Sequence, residues 1–235
     1  MSGLRKTAAA FTAFLGAALV TYSFYTPAKA ALAQLLLERA WTRVERGEAN
    51  AKPWPWADIS PLAKIEVPRL GQRDLVLEGA SGQAMAFGPG HMPNTSQIGA
   101  RGTAIIAAHR DTQFAMLKDV RIGDLIIAET RDGNHTTFRV TSMRVVKADA
   151  SGLDPADPGP TGARLALVTC YPFAGVLHSP WRYVVLADLT SSTGRASVLA
   201  TNARKREPAA EDLATANRRV GESSAARVAT SAPVY

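Results

Sequence analysis

Apolar and polar positions divide this chain into four stretches of different period. Arg5 and Lys6 precede an uncharged run, Thr7 to Tyr25, that carries Phe11, Phe14, Leu15, Leu19, Val20 and Phe24. At about 1.5 Å of rise per residue, a helix over this run matches the ~30 Å hydrocarbon layer of a bilayer. Tyr22 and Tyr25 fall at one interface, and the two cations hold the amino end on the cytoplasmic side. Residues 1–27 are therefore expected to anchor the chain in a membrane, with everything after them outside. Ala28-Lys29-Ala30 has the small-residue spacing of a signal-peptide cleavage point, so a cleaved leader is the alternative, and either one exports the protein.

From 28 to 60 the period becomes helical and then breaks. Leu32, Leu35, Leu36, Trp41 and Val44 fall near one stripe, with Glu38, Arg39, Arg43 and Glu45 elsewhere, and Gly47 marks the end. Such a stripe suits a membrane surface or a packing face. Lys52-Pro53-Trp54-Pro55-Trp56 follows as a stiff, extended spacer, with tryptophans suited to a bilayer interface.

Between 61 and 190 short β-branched runs alternate with Gly, Pro and Asp. Strands are expected at 63–67, 75–78, 103–109, 125–130, 136–148, 164–170 and 182–189, the pattern of an all-β barrel or sandwich. Arg131-Asp132-Gly133-Asn134 reads as a hairpin turn, because Gly and Asn tolerate positive φ. About 130 residues suffice for one self-supporting core. The remainder, 191–235, is rich in Ala, Ser, Thr and Arg and poor in large apolar residues, so a disordered basic tail is expected there.

Charge narrows the functional classes. The chain carries a net +7, yet residues 61–190 hold 13 Lys plus Arg against 12 Asp plus Glu. The excess lies in the two ends, whereas a nucleic-acid reader concentrates it on the folded domain. No nucleic-acid partner is expected. One cysteine and four scattered histidines give no metal-ligand spacing, and no cofactor is implied.

That single cysteine, Cys170, closes the run Arg164-Leu-Ala-Leu-Val-Thr169-Cys170, and Pro172 prevents the strand from continuing as a central one. An unpaired cysteine in an exported protein is either a small buried hydrophobe or a nucleophile that needs a base or cation nearby. His91, His135 and His178 lie in loops or turns; His109 alone ends an apolar strand, 61 residues before the thiol. Asp111 is a candidate N-cap for a short helical turn after His109. Arg182 interrupts the apolar run Trp181-Arg-Tyr-Val-Val, 12 residues past the thiol, where it either pairs with a carboxylate such as Asp188 or Asp111 or binds an oxyanion.

Together these segments resemble the sortases: Ala-Ala-His109-Arg-Asp-Thr is similar to the family's histidine segment, Leu-Val-Thr-Cys170 to its TLxTC strand end, and Trp-Arg182-Tyr-Val-Val to its arginine strand. The order His, Cys, Arg agrees, and Gly-Pro-Gly-His91, Gly99 to Gly102 and Ile122-Gly123-Asp124 add further landmarks over residues 61–190. Ala166 departs from the pattern, which has Thr at that place, and the basic tail is not part of it. His178-Ser-Pro-Trp-Arg182 resembles the proteobacterial branch. The resemblance implies a closed eight-stranded β-barrel behind an amino-terminal transmembrane helix, and a membrane-anchored cysteine transpeptidase with Cys170, His109 and Arg182 as catalytic residues. It puts Thr169 and Tyr171 at the substrate. The implied partner is an exported protein bearing an LPxTG-like C-terminal sorting signal, with an unnamed amine acceptor. The loop Asp149 to Gly162 is the candidate peptide-binding wall. Papain-like hydrolases place cysteine before histidine, and L,D-transpeptidases need a Ser-x-Gly-Cys context absent here. A non-catalytic anchored scaffold is the remaining alternative.

Overall fold

The computed structural model describes residues 2–48, 50–174 and 179–194; in the first helix the side chains of residues 1–10 and of several residues between 13 and 26 are outside the described set. His178 and the basic tail beyond residue 194 also lie outside the described residues. Among the described residues no helix is long and apolar enough to cross a membrane, and the span expected at 1–27 falls largely on side chains outside that set.

Helix α1 runs unbroken from Ser2 to Glu45, with Pro27 inside it. The anchor and the helix expected after Pro27 are thus one rod. It ends where glycine permits the left-handed backbone: Gly47 has φ 102°, and its N–H bonds to the Val44 carbonyl at 2.8 Å. Ala33, Leu37, Ala40, Trp41 and Val44 are buried at helical spacing, and the last four share an apolar cluster with Ala51, Ala57, Ile59, Leu75 and Leu77. Full burial of side chains as large as Trp41 and Leu37 contributes about 1.5–3 kcal/mol each. This row is the packing face and only partly the expected stripe: Trp41 and Val44 belong to both, but Leu32 and Leu35 are exposed and Leu37 and Ala40 take their place against the barrel. Trp54 joins it, edge-on to Phe87 at 5.4 Å between ring centres, while Trp56 remains 80% exposed.

The barrel strands are β1 (Pro61–Val67), β2 (Gln72–Glu78), β3 (Gly90–His91), β4 (Gly102–Ala107), β5 (Leu125–Thr130), β6 (His135–Lys147), β7 (Ala163–Tyr171) and β8 (Trp181–Thr193). A one-turn helix α2 (Gly82–Met85) lies between β2 and β3. The strands close in the order β1-β2-β3-β4-β7-β8-β6-β5, parallel at β2–β3 and β4–β7. We call the end at which β4 and β7 finish the upper end. By register, β1 finishes there too, and β2, β5 and β8 begin there.

Alternation decides what fills the interior. Ala63, Ile65, Val67, Val76, Ala104, Ile106, Leu165, Leu167, Val185 and Ala187 point inward with Phe138 and Val140. A 3-10 segment, Gln113–Asp119, joins the same core through Phe114, Met116 and Leu117 after β4 ends. Intervening residues face outward: Leu75 and Leu77 under α1, and Ala166, Val184 and Leu186 under Leu153 and Val146.

Seven of the eight strands lie where the pattern predicts them. The eighth, β3, has only two residues, too short to show a period. Strand β4 stops at Ala107, so His109 stands two residues beyond a strand rather than at its end. Asp111 caps nothing: Thr112 occupies the N-cap position of the following 3-10 segment, with no side-chain bond.

Candidate active site

Cys170 is the last residue but one of β7, and Arg182 the second of β8; the two are direct partners across the antiparallel ladder. Directly opposed residues carry their Cβ atoms about 4.5–5.5 Å apart on one face. That face is the outer one, because Leu167 and Thr169 of β7 and Tyr183 and Val185 of β8 have inward parity. On the other side of β7, Ala107 of β4 pairs in parallel with Val168. Two residues further along each chain stand His109 and Cys170. The ladder ends, but the chains stay joined: the Ala108 N–H bonds to the Val168 carbonyl at 3.2 Å, and the Thr169 hydroxyl donates to the Ala108 carbonyl at 2.7 Å. Three residues that are distant in sequence thus arrive level on adjacent strand ends.

The imidazole is carried by a loop pinned at both sides. The Phe114 N–H bonds to the His109 carbonyl at 3.1 Å, and Arg110 Nη1 donates to the Pro172 carbonyl at 2.8 Å, tying the histidine loop to the chain just past the thiol. His109 is exposed, and Cys170 and Arg182 are half-buried. Solvent and a bound chain can therefore reach all three.

Arg182 Nη1 donates to the carbonyls of Ser179 at 2.8 Å and Trp181 at 3.0 Å. The carboxylate of Asp188 is committed elsewhere, to Arg164 at 2.8 Å. Among the described residues Arg182 has no acidic partner, so its positive charge remains available to an anion.

Thr169 does not reach the face the thiol occupies. It is 2% exposed, and its hydroxyl donates to the carbonyl of Ala108, the residue before His109. The Tyr171 ring packs inward-side with Phe173 (6.2 Å, edge-on) and Tyr183 (6.2 Å, stacked). Burial, then the charge of a neighbouring ionised Tyr171 phenol, pushes the Tyr183 hydroxyl above its ordinary range.

The loop between β6 and β7 runs down the outside of the barrel. Its start is at the upper end, where the Ala148 N–H bonds to the Pro180 carbonyl at 2.7 Å. Its later part is clamped at the lower end: the Pro155 carbonyl accepts from the Thr103 N–H at 2.9 Å, Asp157 pairs with Arg164 at 2.6 Å, and Arg164 bridges on to Asp188. Only its first residues stand near Cys170, so the wall expected over all of 149–162 reduces to its opening segment.

Further from the site, Arg69 Nε and Nη2 grip Asp124 at 2.6 and 2.7 Å, and this guanidinium holds the carboxyl below the usual carboxylate range. Asp74 faces the interior opposite Ile65, and burial pushes it up to about 6. Among the described residues no cluster of His, Cys, Asp and Glu could hold a metal.

The fold has known relatives. The Sortase domain model matches residues 65–190, more than half of the chain. Sortase D of Bacillus subtilis (strain 168) is 25% identical over 121 residues, 52% of this chain; the chain spans 60% of the length of that relative. The SrtA sortase from Actinomyces oris superposes with a TM-score of 0.50 at 26% identity, over 58% of this chain and 83% of that one. The SrtF sortase from Corynebacterium diphtheriae shares the fold, with a TM-score of 0.52 at 20% identity over 57% and 87% of the two chains.

Proposed function

Because this chain belongs to the sortase family, whose members are cysteine transpeptidases acting on secreted proteins with sorting signals, we propose that it cleaves an LPxTG-like signal and transfers the target protein to an amine. The supporting observation is the register of three strand ends: Cys170 opposite Arg182, with His109 held level with the sulfur.

In this reading the Cys170 thiolate attacks the scissile carbonyl, forming the C–S bond of a tetrahedral intermediate whose oxyanion is stabilised by the Arg182 guanidinium. As the C–N bond breaks, His109 gives its proton to the departing amine, leaving a thioester on Cys170. An incoming amine then attacks the thioester, His109 takes up the amine's proton, and the thiolate departs. The Ser179 and Trp181 carbonyls that hold Arg182 exchange for the oxyanion, so the guanidinium's bonds are strongest where charge develops.

The reading also includes a single-pass anchor, amino end cytoplasmic and barrel outside. Arg5 and Lys6 flank the apolar run, and Phe11, Phe14, Leu19, Tyr22 and Tyr25 are all exposed on α1 with no protein surface over them.

The test is incubation of the full-length protein in detergent with a library of LPxTG-like peptides, followed by intact mass. A thioester adduct on Cys170 that disappears in Cys170→Ala is expected. Absence of an adduct across the library, or an adduct that survives the substitution, would overturn the proposal.

A further inference from the structure

At the lower end of the barrel, away from Cys170, lies a cavity of about 490 Å³. Two walls enclose it: the loop leading into β4, at residues 97–100, and the turn from β5 into β6, at residues 130–134. β4 spans six residues, so at about 3.3 Å per residue the cavity stands about 20 Å below the level of the sulfur. Its floor is apolar. Leu62 and Ile98 are buried there, and the Thr136 hydroxyl donates to the Ala128 carbonyl at 3.4 Å, so that the threonine offers its methyl. A Cβ on Gly99 would come within 2.7 Å of that methyl carbon, and the backbone there has φ 84°, so glycine is what lets the loop sit down on β6.

Both walls are fixed without any ligand. In the first, the Ala100 N–H bonds to the Gln97 carbonyl at 3.0 Å, the Ser96 N–H to the Thr103 carbonyl at 3.2 Å, and His91 Nε2 donates to the Ser96 carbonyl at 2.9 Å. In the second, the Gly133 N–H bonds to the Thr130 carbonyl at 2.8 Å, and the Arg131 N–H pins the turn to the Leu62 carbonyl of β1 at 3.0 Å. A cavity whose walls are already ordered binds without the entropy cost of ordering them.

The rim decides what chemistry fits. The side-chain amides of Gln97 and Asn134 are exposed and bond to no other side chain or backbone group among the described residues. Arg131 pairs with one oxygen of Glu78 at 2.9 Å, Ser60 donates to the same oxygen at 3.1 Å, and the other oxygen faces no protein donor among the described residues. Asp132 adds a second carboxylate. One guanidinium against two carboxylates disfavours phosphate and other anions. A closed barrel gives an extended peptide no strand edge to join. Amides and carboxylates that offer donors and acceptors side by side suit hydroxyl groups, each of which both gives and takes a hydrogen bond. An apolar floor under such a rim suits the C–H face of a saturated ring.

We infer that this cavity is a carbohydrate-binding site, taking one ring of a neutral glycan with its C–H face on Leu62 and Ile98 and its hydroxyls on Gln97, Asn134 and Glu78. The site holds the barrel to a glycan strand and leaves the end that carries Cys170 free. It goes beyond the catalytic reading and does not depend on it.

The full-length protein, in a detergent without sugar headgroups, is titrated by calorimetry with cellotetraose, chitotetraose and maltotetraose, and with inorganic polyphosphate as the anionic control. At least one tetrasaccharide should bind with a Kd of about 0.1–1 mM. Gln97→Ala combined with Asn134→Ala should weaken that binding by at least about tenfold through the loss of two hydrogen bonds. Ala100→Trp, which fills the cavity from its exposed rim, should abolish it. Both proteins should keep the parental Tm, because substitutions on an exposed surface barely move stability; should the tryptophan variant unfold, the double alanine variant decides alone. Binding should persist in Cys170→Ala, and its loss there overturns the separation of the two ends. No tetrasaccharide bound at up to ~10 mM, tighter binding of polyphosphate, or glycan binding that survives both rim variants overturns the proposal.

Discussion

The bond from the Thr169 hydroxyl to the Ala108 carbonyl is the most exposed link in the proposed site to a single change. Thr169→Val keeps shape and volume but removes the donor, leaving a carbonyl beside a side chain that is 2% exposed without its 2.7 Å partner. A buried polar group left unsatisfied costs about 1–3 kcal/mol. A domain of this size with a typical 5–15 kcal/mol of stability stays folded, and its Tm falls by about 2–4 °C per kcal/mol. The activity should suffer more than the fold. Ala108 is the residue before His109, and a shift of about 1 Å in a catalytic group costs on the order of 100-fold in rate. Single-turnover acylation of Cys170 by a cognate peptide should fall by at least about tenfold in Thr169→Val. Thr169→Ser retains the hydroxyl and should remain within a few-fold of the parent. A Thr169→Val protein with the parental acylation rate would refute the clamp, as would a serine variant no better than valine.

Three further outcomes follow from the same structure. Arg182→Gln keeps donors but loses the charge, so kcat for acylation should fall by about 100- to 1,000-fold with little change in KM; an equal rise in KM would mark Arg182 as a binding group only. Asp74, raised to about 6 by burial, binds its proton more tightly folded than unfolded, so it destabilises the fold progressively as pH rises from about 4 to about 6. Asp74→Asn should flatten that part of the stability profile and raise Tm at pH 7.5, by a modest amount because the group is partly solvated, and an unchanged profile would contradict the shift. Arg164→Met strands Asp188, 6% exposed, as an uncompensated carboxylate and should cost about 3–5 kcal/mol in denaturant titration, whereas Arg164→Met with Asp188→Leu should recover much of it.

Period-2 alternation made most of the barrel legible, since strands such as β5 and the first half of β6 bury one face and leave the other more open. A two-residue β3 has no period to read. The proposed trio of His109, Cys170 and Arg182 could be singled out because each member interrupts, ends or closely follows an apolar run, where a polar residue has no packing reason to be. Thr169 misled for the opposite reason: a threonine next to the nucleophile reads as a substrate contact, and only the register shows that its parity is inward. The far-end clamp of the β6–β7 loop was hidden because Asp157 lies in an irregular loop and Asp188 is 24 residues from Arg164, so no period links the three. The docking face of α1 was legible only at Trp41 and Val44, since Leu32 and Leu35 of the expected stripe are exposed, and its direction depends on Gln34 and Glu38, exposed polar residues whose partners no periodicity reveals. Arg110 beside His109 carried a signal that was missed: a second cation next to a candidate base needs a carbonyl or carboxylate of its own.

The parallel pairing of β4 with β7 also governs when the protein can become reactive. The strand before the imidazole and the strand that ends in the sulfur are joined only after the whole β5–β6 hairpin has been made, and the guanidinium follows on the strand that seals β7 to β6. A chain emerging residue by residue therefore passes through most of its length with these groups apart, and brings them together in one late step, as the cylinder shuts. Closure of the sheet acts as the safety catch on the thiol.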